Sequence, residues 1–224
     1  MVIAPHPDDE TLGCGAVIAR LRAEGRAIRI VIVTDGGAQD SAVGAEREAL
    51  VALRRAEAQK AAEVLGLTAQ DVVFLNYKDG KAAASKEEIR RDLEAQIDQL
   101  APSIVFSPSN YDFHHDHRAI SEAIDQLQDS GKINFRSFHY PIWYRTVEWP
   151  YGLLRCLWAP TLLRNTRVVR AEGYRTKKWA ALEKYPSQFR MSQNRGQLIF
   201  CQRHCQSKEL FFERVKGQGA RERY

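Results

Sequence analysis

The first 120 residues alternate short, β-branched apolar runs with longer stretches of helical period, and few folds are open to a chain built that way. The runs Val2 to Pro5, Ile28 to Val33, Val72 to Leu75 and Ile104 to Ser107 are apolar with little polar alternation, as strands buried on both faces are. Helical stretches lie between them. Glu10 to Glu24 carries Leu12, Ala16, Ala19 and Leu21 near one side and stops at Gly25, and Ala45 to Leu65 stops at Gly66. Both glycines stand where a C′ residue closes a helix. Lys86 to Leu100 starts after Ser85, stops before Pro102 and gathers Ile89, Leu93 and Ile97 on one face. Repeated βα units imply a Rossmann-like, doubly wound α/β fold, a mostly parallel sheet with helices on both faces.

Beyond residue 135 the pattern loosens. Ser137 to Pro141 and Arg167 to Arg170 are strand candidates, Gly173 to Lys184 a helix, and Gln197 to Val215 a mixed element of undecided type. Residues 141–165, rich in Trp, Tyr, Pro and Leu, stand out as an aromatic and basic insertion. No repeat, low-complexity tract or linker divides the chain, so residues 1–224 are expected to form one domain. At that length folding buries roughly 70% of the surface the unfolded chain exposes, enough for a core without staples. Cys14, Cys156, Cys201 and Cys205 make no dense disulfide framework, and Met1 to Pro5 carry no basic leader. No stretch approaches the ~18 to 20 apolar residues of a membrane span. A reducing, cytoplasmic setting is therefore expected.

Charge is unevenly spread. Residues 1–120 hold 14 basic and 19 acidic side chains, net −5, whereas 121–224 hold 19 and 9, net +10, so the positive balance of the chain belongs to the second half. That half also holds Trp143, Trp149, Trp158 and Trp179, interleaved with arginines. An anionic or stackable partner is one reading, a solvated basic face beside ordinary core aromatics the other.

In doubly wound folds, ligands bind beyond the carboxyl ends of the strands. Polar and acidic groups collect at each such position: His6 to Asp9 after the first strand, Thr34 to Gly37 after the second, Asn76 to Gly80 after the third, Asp112 to His117 after the fourth. The three-residue spacing of His6 and Asp9 lets an imidazole and a carboxylate meet one cation, and an imidazole of His114-His115-Asp116-His117 can close the site. Two histidines and a carboxylate leave coordination positions open, the arrangement of a catalytic metal. Zinc is the first choice, with Fe²⁺ or another divalent ion as alternative. Asp8, beside a ligand, is placed to act as general base on a metal-bound water. His114 is a candidate to donate a proton or stabilise an oxyanion, and Asp116 to hold an imidazole in its tautomer. Cys201, His204 and Cys205 lack a fourth ligand for a second site. Gly13 and Gly15 read as positions of close packing, since no G-x-G-x-x-G pattern is present.

The stretch APHPDDETLGCGAVIARL, with HHDH near mid-chain, strongly resembles the PIG-L/LmbE-like family of metal-dependent N-acetyl-sugar deacetylases. VTDGG at 33–37, Arg54 and Glu57 ahead of LG, DG at 79–80 and KKWAALEKYPSQF at 177–189 extend the resemblance, leaving 141–165 unmatched. It implies His6, Asp9 and His117 as metal ligands, Asp8 as base, His114 as a group stabilising the tetrahedral intermediate, and Asp116 as its support. The family often has proline where this chain has His115, a position that supplies no essential side chain. Arg54 is a candidate substrate contact, with a salt bridge to Glu57 as the alternative. Tyr111 is a further candidate, either polarising the scissile carbonyl or capping its loop.

The expected activity is a zinc-dependent hydrolase that removes acetyl from an N-acetylglucosamine-type glycoside or conjugate. Hydrolysis of another amide and an inactive basic, aromatic binding module are the alternatives. Trp143, Tyr144, Trp149, Tyr151 and Trp158 alternate with Arg145, Arg155, Arg164, Arg167 and Arg170. That pattern favours a wall of the substrate cleft, or a membrane-facing patch, suited to a phosphate-bearing or lipid-linked N-acetyl sugar. A core or subunit-interface role is the alternative. No nucleic acid partner and no membrane-spanning segment are expected; peripheral membrane contact and self-association stay open.

Overall fold

The computed structural model describes residues 1–38, 43–143, 165–170, 172–189, 193–206 and 208–214. Five strands are parallel: β1 (Val2–Ala4), β2 (Ile30–Thr34), β3 (Val72–Tyr77), β4 (Ile104–Pro108) and β5 (Arg136–Tyr140). β6 (Thr166–Arg170) runs antiparallel to β7 (Lys208–Arg214), which pairs antiparallel with β5. The seven strands form one sheet in the order β3-β2-β1-β4-β5-β7-β6. Among the described residues the helices are α1 (Asp9–Ala23), α2 (Ala45–Leu65), α3 (Lys86–Leu100), α4 (His115–Ser130), α5 (Arg175–Leu182) and α6 (Arg195–His204).

The two-residue side-chain period of β1, β2 and β4 feeds two cores, one on each face of the sheet. Val2, Ala4, Ile30, Ile32 and Phe106 pack with α1, α2, α5 and α6. Ile3, Val31, Val33 and Val105 pack with Ile89, Leu93 and Ile97 of α3 and Ile120, Ile124 and Leu127 of α4. The expected bounds of α2 and α3 hold, and Gly66 closes α2 with a left-handed φ of 95°. α1 departs from its expected single apolar side: every residue from Asp9 to Ala19 is buried, because the sheet, β7 included, covers it on one side and α2 and α5 pack on it as well. The undecided stretch 197–215 contains the end of α6 and then β7. The expected insertion 141–165 falls almost wholly outside the described residues, as does Cys156; Cys14, Cys201 and Cys205 are buried free thiols.

Chain order reverses between β1 and β4, since β1 pairs with β2 on one side and β4 on the other. Loops leaving the carboxyl ends of neighbouring strands at such a reversal diverge and leave a crevice. The loop after β1 carries His6 to Asp8, and the loop after β4 carries Asp112 to His114.

Candidate metal centre and active site

The β1–α1 turn is tight enough to be strained. Asp8, the N-cap of α1, has φ 128°, a region disfavoured for any residue with a Cβ, and its side chain makes no capping bond. Its carbonyl accepts from Thr11 and Leu12, so the backbone of Asp8 is spent on the helix while its carboxylate lines the cleft. Asp9 turns back instead and accepts the N–H of His6 at 3.0 Å.

Asp9 Oδ2 lies 3.1 Å from His6 Nδ1 and 3.2 Å from His117 Nε2. Two ligand atoms on a tetrahedral zinc, each about 2.0–2.1 Å from the ion, stand about 3.3 Å apart, so these spacings suit a shared cation. His117 supports this fit. Its Nδ1 lies 2.9 Å from Asp112 Oδ2, which fixes the proton on that nitrogen, and its fully buried Nε2 has no hydrogen-bond partner. An imidazole held by a carboxylate on one nitrogen, with a bare lone pair on the other, is how metal-binding histidines are oriented. Asp112 also accepts the backbone N–H of Ile142.

His6 Nε2 lies 3.1 Å from Asp79 Oδ1 and 3.3 Å from Asp116 Oδ2. Both of these carboxylates are anchored by backbone: Gly80 and Ala82 donate to Asp116, and Ala38 donates to Asp79. Among the described residues, two groupings of His and Asp have ligand atoms within 4.8 Å of one another, His6 with His114 and His117, and His6 with Asp79 and Asp116. The buried His117 Nε2, without a hydrogen bond and beside Asp9 Oδ2, favours the first side of His6, where Asp9 sits.

His114 caps α4, and its Nδ1 accepts the N–H of Asp116 at 3.3 Å. With Nδ1 an acceptor, the proton of the neutral ring is on Nε2. Burial and the nearby His6 and His117 push the His114 pKa down to about 4, keeping the ring a neutral donor at ordinary pH. Burial, with the Asp9 and Glu10 carboxylates beside it, pushes Asp8 well above the usual carboxylate range. Burial alone would raise Asp116 as well, yet the His6 side chain and the Gly80 and Ala82 N–H groups bring it down to about 2.

The cleft holds about 980 Å³. His6, Asp8, Asp9, Asp79, His114 and Arg54 are among its lining residues, and Arg54 donates to the carbonyl of Gly36. No salt bridge joins Arg54 to Glu57, whose carboxylate accepts from the backbone and hydroxyl of Ser187 instead. Tyr111 is not brought to the site: it packs against Phe212 and does not line the cleft. The Asp116 carboxylate reaches His6, and only its backbone N–H meets His114. His115 is exposed, with Nε2 3.1 Å from the Gly80 carbonyl. His204 faces the carbonyls of Phe200 and Ile142, and no metal-type grouping with Cys201 or Cys205 occurs among the described residues. Of the aromatic and basic segment, Trp143 lines the cleft and Arg167 pairs with Glu213, whereas 144–164 lie outside the described residues. Asp79 and Asp112 stood among the rim groups read from sequence, Asp79 also in the DG at 79–80, but neither was given a role at the site; each stands just past the carboxyl end of a strand.

The family model described as GlcNAc-PI de-N-acetylase, PIG-L, matches residues 1–128, which hold every group of this centre. The chain belongs to the PIG-L family. It is 28% identical over 195 residues to a probable N-acetyl-alpha-D-glucosaminyl L-malate deacetylase 2 of Bacillus anthracis, covering 84% of this chain and 80% of that one. It is 33% identical over 142 residues to the diacetylchitobiose deacetylase of Thermococcus kodakarensis, covering 60% and 51%. The solved N,N'-diacetylchitobiose deacetylase of Pyrococcus horikoshii superposes with a TM-score of 0.72 over 98% of this chain and 86% of that one, at 21% identity, a likeness of fold. No described helix of this PIG-L protein is long and apolar enough to cross a membrane.

Proposed function

We propose that this chain is a metal-dependent hydrolase that removes the acetyl group from an N-acetylated sugar, with His6, Asp9 and His117 holding the metal. The observation that carries the metal is the buried Nε2 of His117, which makes no hydrogen bond and stands 3.2 Å from Asp9 Oδ2, itself 3.1 Å from His6 Nδ1. Family membership and the deacetylase names of the relatives support the choice of an N-acetyl sugar. Zinc suits the mixed nitrogen and oxygen donors, with iron as alternative. When bound, such an ion lowers the pKa of water to near 7 and polarises a carbonyl oxygen.

The chain's own residues do the rest. Asp8, free of any capping duty and at the mouth of the same turn, takes the proton of the attacking water and returns it to the leaving amine. His114, neutral and with its proton on Nε2, donates to the oxygen that becomes negative as the amide carbonyl turns tetrahedral. Asp112 keeps His117 in the tautomer that leaves Nε2 bare. Arg54 is the one Lys or Arg among the described residues that line the cleft. The products are acetate and the free amino sugar. Acetate release from N-acetylglucosamine conjugates by the metal-loaded protein, lost in Asp8→Asn, supports the reading; metal-loaded protein that releases none from any such conjugate refutes it.

A further inference from the structure

The backbone of Asp8 is held from outside its own turn. A φ of 128° on a residue with a Cβ persists only where the surroundings over-determine it. Relaxing that angle turns the peptide between Pro7 and Asp8, because φ is the rotation about the bond from its nitrogen to Cα. This peptide is gripped at both poles. Its carbonyl, on Pro7, accepts the side-chain amide of Gln188, and its N–H, on Asp8, donates to Glu10 Oε2 at 3.1 Å. The other oxygen of Glu10 accepts the hydroxyls of Thr11, at 2.5 Å, and of Tyr185.

Both grips trace to one turn, distant in sequence. The N–H groups of Gln188 and Phe189 donate to the Tyr185 carbonyl at 3.0 and 2.8 Å, and the backbone and hydroxyl of Ser187 donate to Glu57 of α2. Tyr185 and Gln188 therefore reach the Pro7–Asp8 peptide from a turn that is closed on itself and tied to a second helix. Glu10, Thr11 and Tyr185 are buried, so a bond lost among them is not replaced by one to water. A buried carboxylate needs donors wherever it stands, which alone would make this cluster a matter of stability. Its target sets it apart: the N–H it accepts belongs to the residue whose own carboxylate lines the cleft. Neither Glu10 nor Tyr185 lines the cleft, so each can reach the reaction only through that peptide.

We propose that Glu10, Tyr185 and Gln188 clamp the Pro7–Asp8 peptide and are positioning residues for the reaction, holding Asp8 at its strained backbone angle with its carboxylate toward the cleft. The effect on turnover rests on the reading of Asp8 as the base; the clamp itself does not. The test pairs hydrogen exchange at the Asp8 amide with acetate release from N,N'-diacetylchitobiose by the metal-loaded protein, in Tyr185→Phe, Glu10→Ala and Glu10→Gln. Tyr185→Phe is expected to speed exchange at Asp8 about tenfold or more, while the Val17 amide, held by Glu209, exchanges as in the parent. Its kcat should fall about 10–100-fold with KM and metal content unchanged, the scale of a displaced reacting group. Glu10→Ala should show the same pattern more strongly. Glu10→Gln should restore most of kcat, since its oxygen still accepts from Asp8 while the Thr11 and Tyr185 hydroxyls turn to accept from its amide. If Glu10→Ala fails to fold, Tyr185→Phe decides. Parental exchange at Asp8 in Tyr185→Phe, a parental kcat despite faster exchange, or a loss shared by Val17 and by KM overturns the clamp. Faster exchange confined to Asp8, in a protein whose parent releases no acetate from any N-acetylglucosamine conjugate, upholds the clamp and sinks the deacetylase reading. Acetate release by the parent, with exchange and kcat untouched in Tyr185→Phe, does the reverse.

Discussion

At the scale of single residues, the site depends on side chains denied their usual local partners. Asp8 stands at an N-cap and caps nothing, and its φ of 128° is held between β1 and α1, which are both anchored. Asp8→Asn should therefore keep the fold and most of the metal while hydrolysis falls at least ~100-fold, the lower scale for a positioned base. Turnover at the parental rate would move the base elsewhere, Asp116 first. The purified protein should carry about one divalent ion per chain, by elemental analysis, and His6→Ala and His117→Ala should strip it. Asp112→Asn keeps every proposed ligand but loses the carboxylate behind His117, and a competition titration should read about 10–100-fold weaker metal binding.

At the scale of elements, α1 decides where Asp8 and Asp9 sit, and it is gripped from three sides. The Glu209 carboxylate of β7 accepts the N–H groups of Ala16 and Val17 at 2.9 and 2.8 Å, and Lys178 Nζ of α5 donates to Leu12 O at 2.7 Å and to Glu209 at 2.6 Å. Leu12 O and Ala16 N–H are the pair an α-helical ladder would join, so this buried ion pair lies across one turn of α1. The third grip is Tyr140, whose hydroxyl donates to Ile3 O and whose ring would stand 2.3 Å from a Cβ on Gly13. Glu209→Ala leaves a buried ammonium alone, and denaturant unfolding should read a loss of about 3–5 kcal/mol. Replacing both partners by apolar residues should cost less than that single change. A stability equal to the parent in Glu209→Ala would mean the pair does not hold α1.

At the scale of the whole molecule, the C-terminal strands close the sheet with charge pairs beside the apolar packing of Phe211 and Phe212. Glu213 lies between Arg136 of β5 and Arg167 of β6, and the hydrogen bond from Arg136 holds its carboxyl below the ordinary 4.5. A carboxylate depressed in the folded state contributes stability in full above its unfolded value and loses it as pH falls through the folded one. Acid unfolding followed by circular dichroism should thus begin at higher pH in added salt, and Glu213→Gln should lose that salt response. The sequence alone determined the βα alternation, the bounds of α2 and α3 and the rim positions of His6, Asp8, Asp9, His114 and His117, because period, caps and motif spacing are local properties. It left α4 unread, although Ile120, Ile124 and Leu127 carry a helical spacing, because the histidines at its start drew the reading to a loop. Asp79 and Asp112 as partners of the imidazoles, the grip of Lys178 and Glu209 on α1 and the contacts of Tyr185 and Gln188 with the turn of Asp8 were decided only by tertiary structure. Their contacts span up to 193 residues of chain, and no local pattern encodes which distant strand end will face which turn.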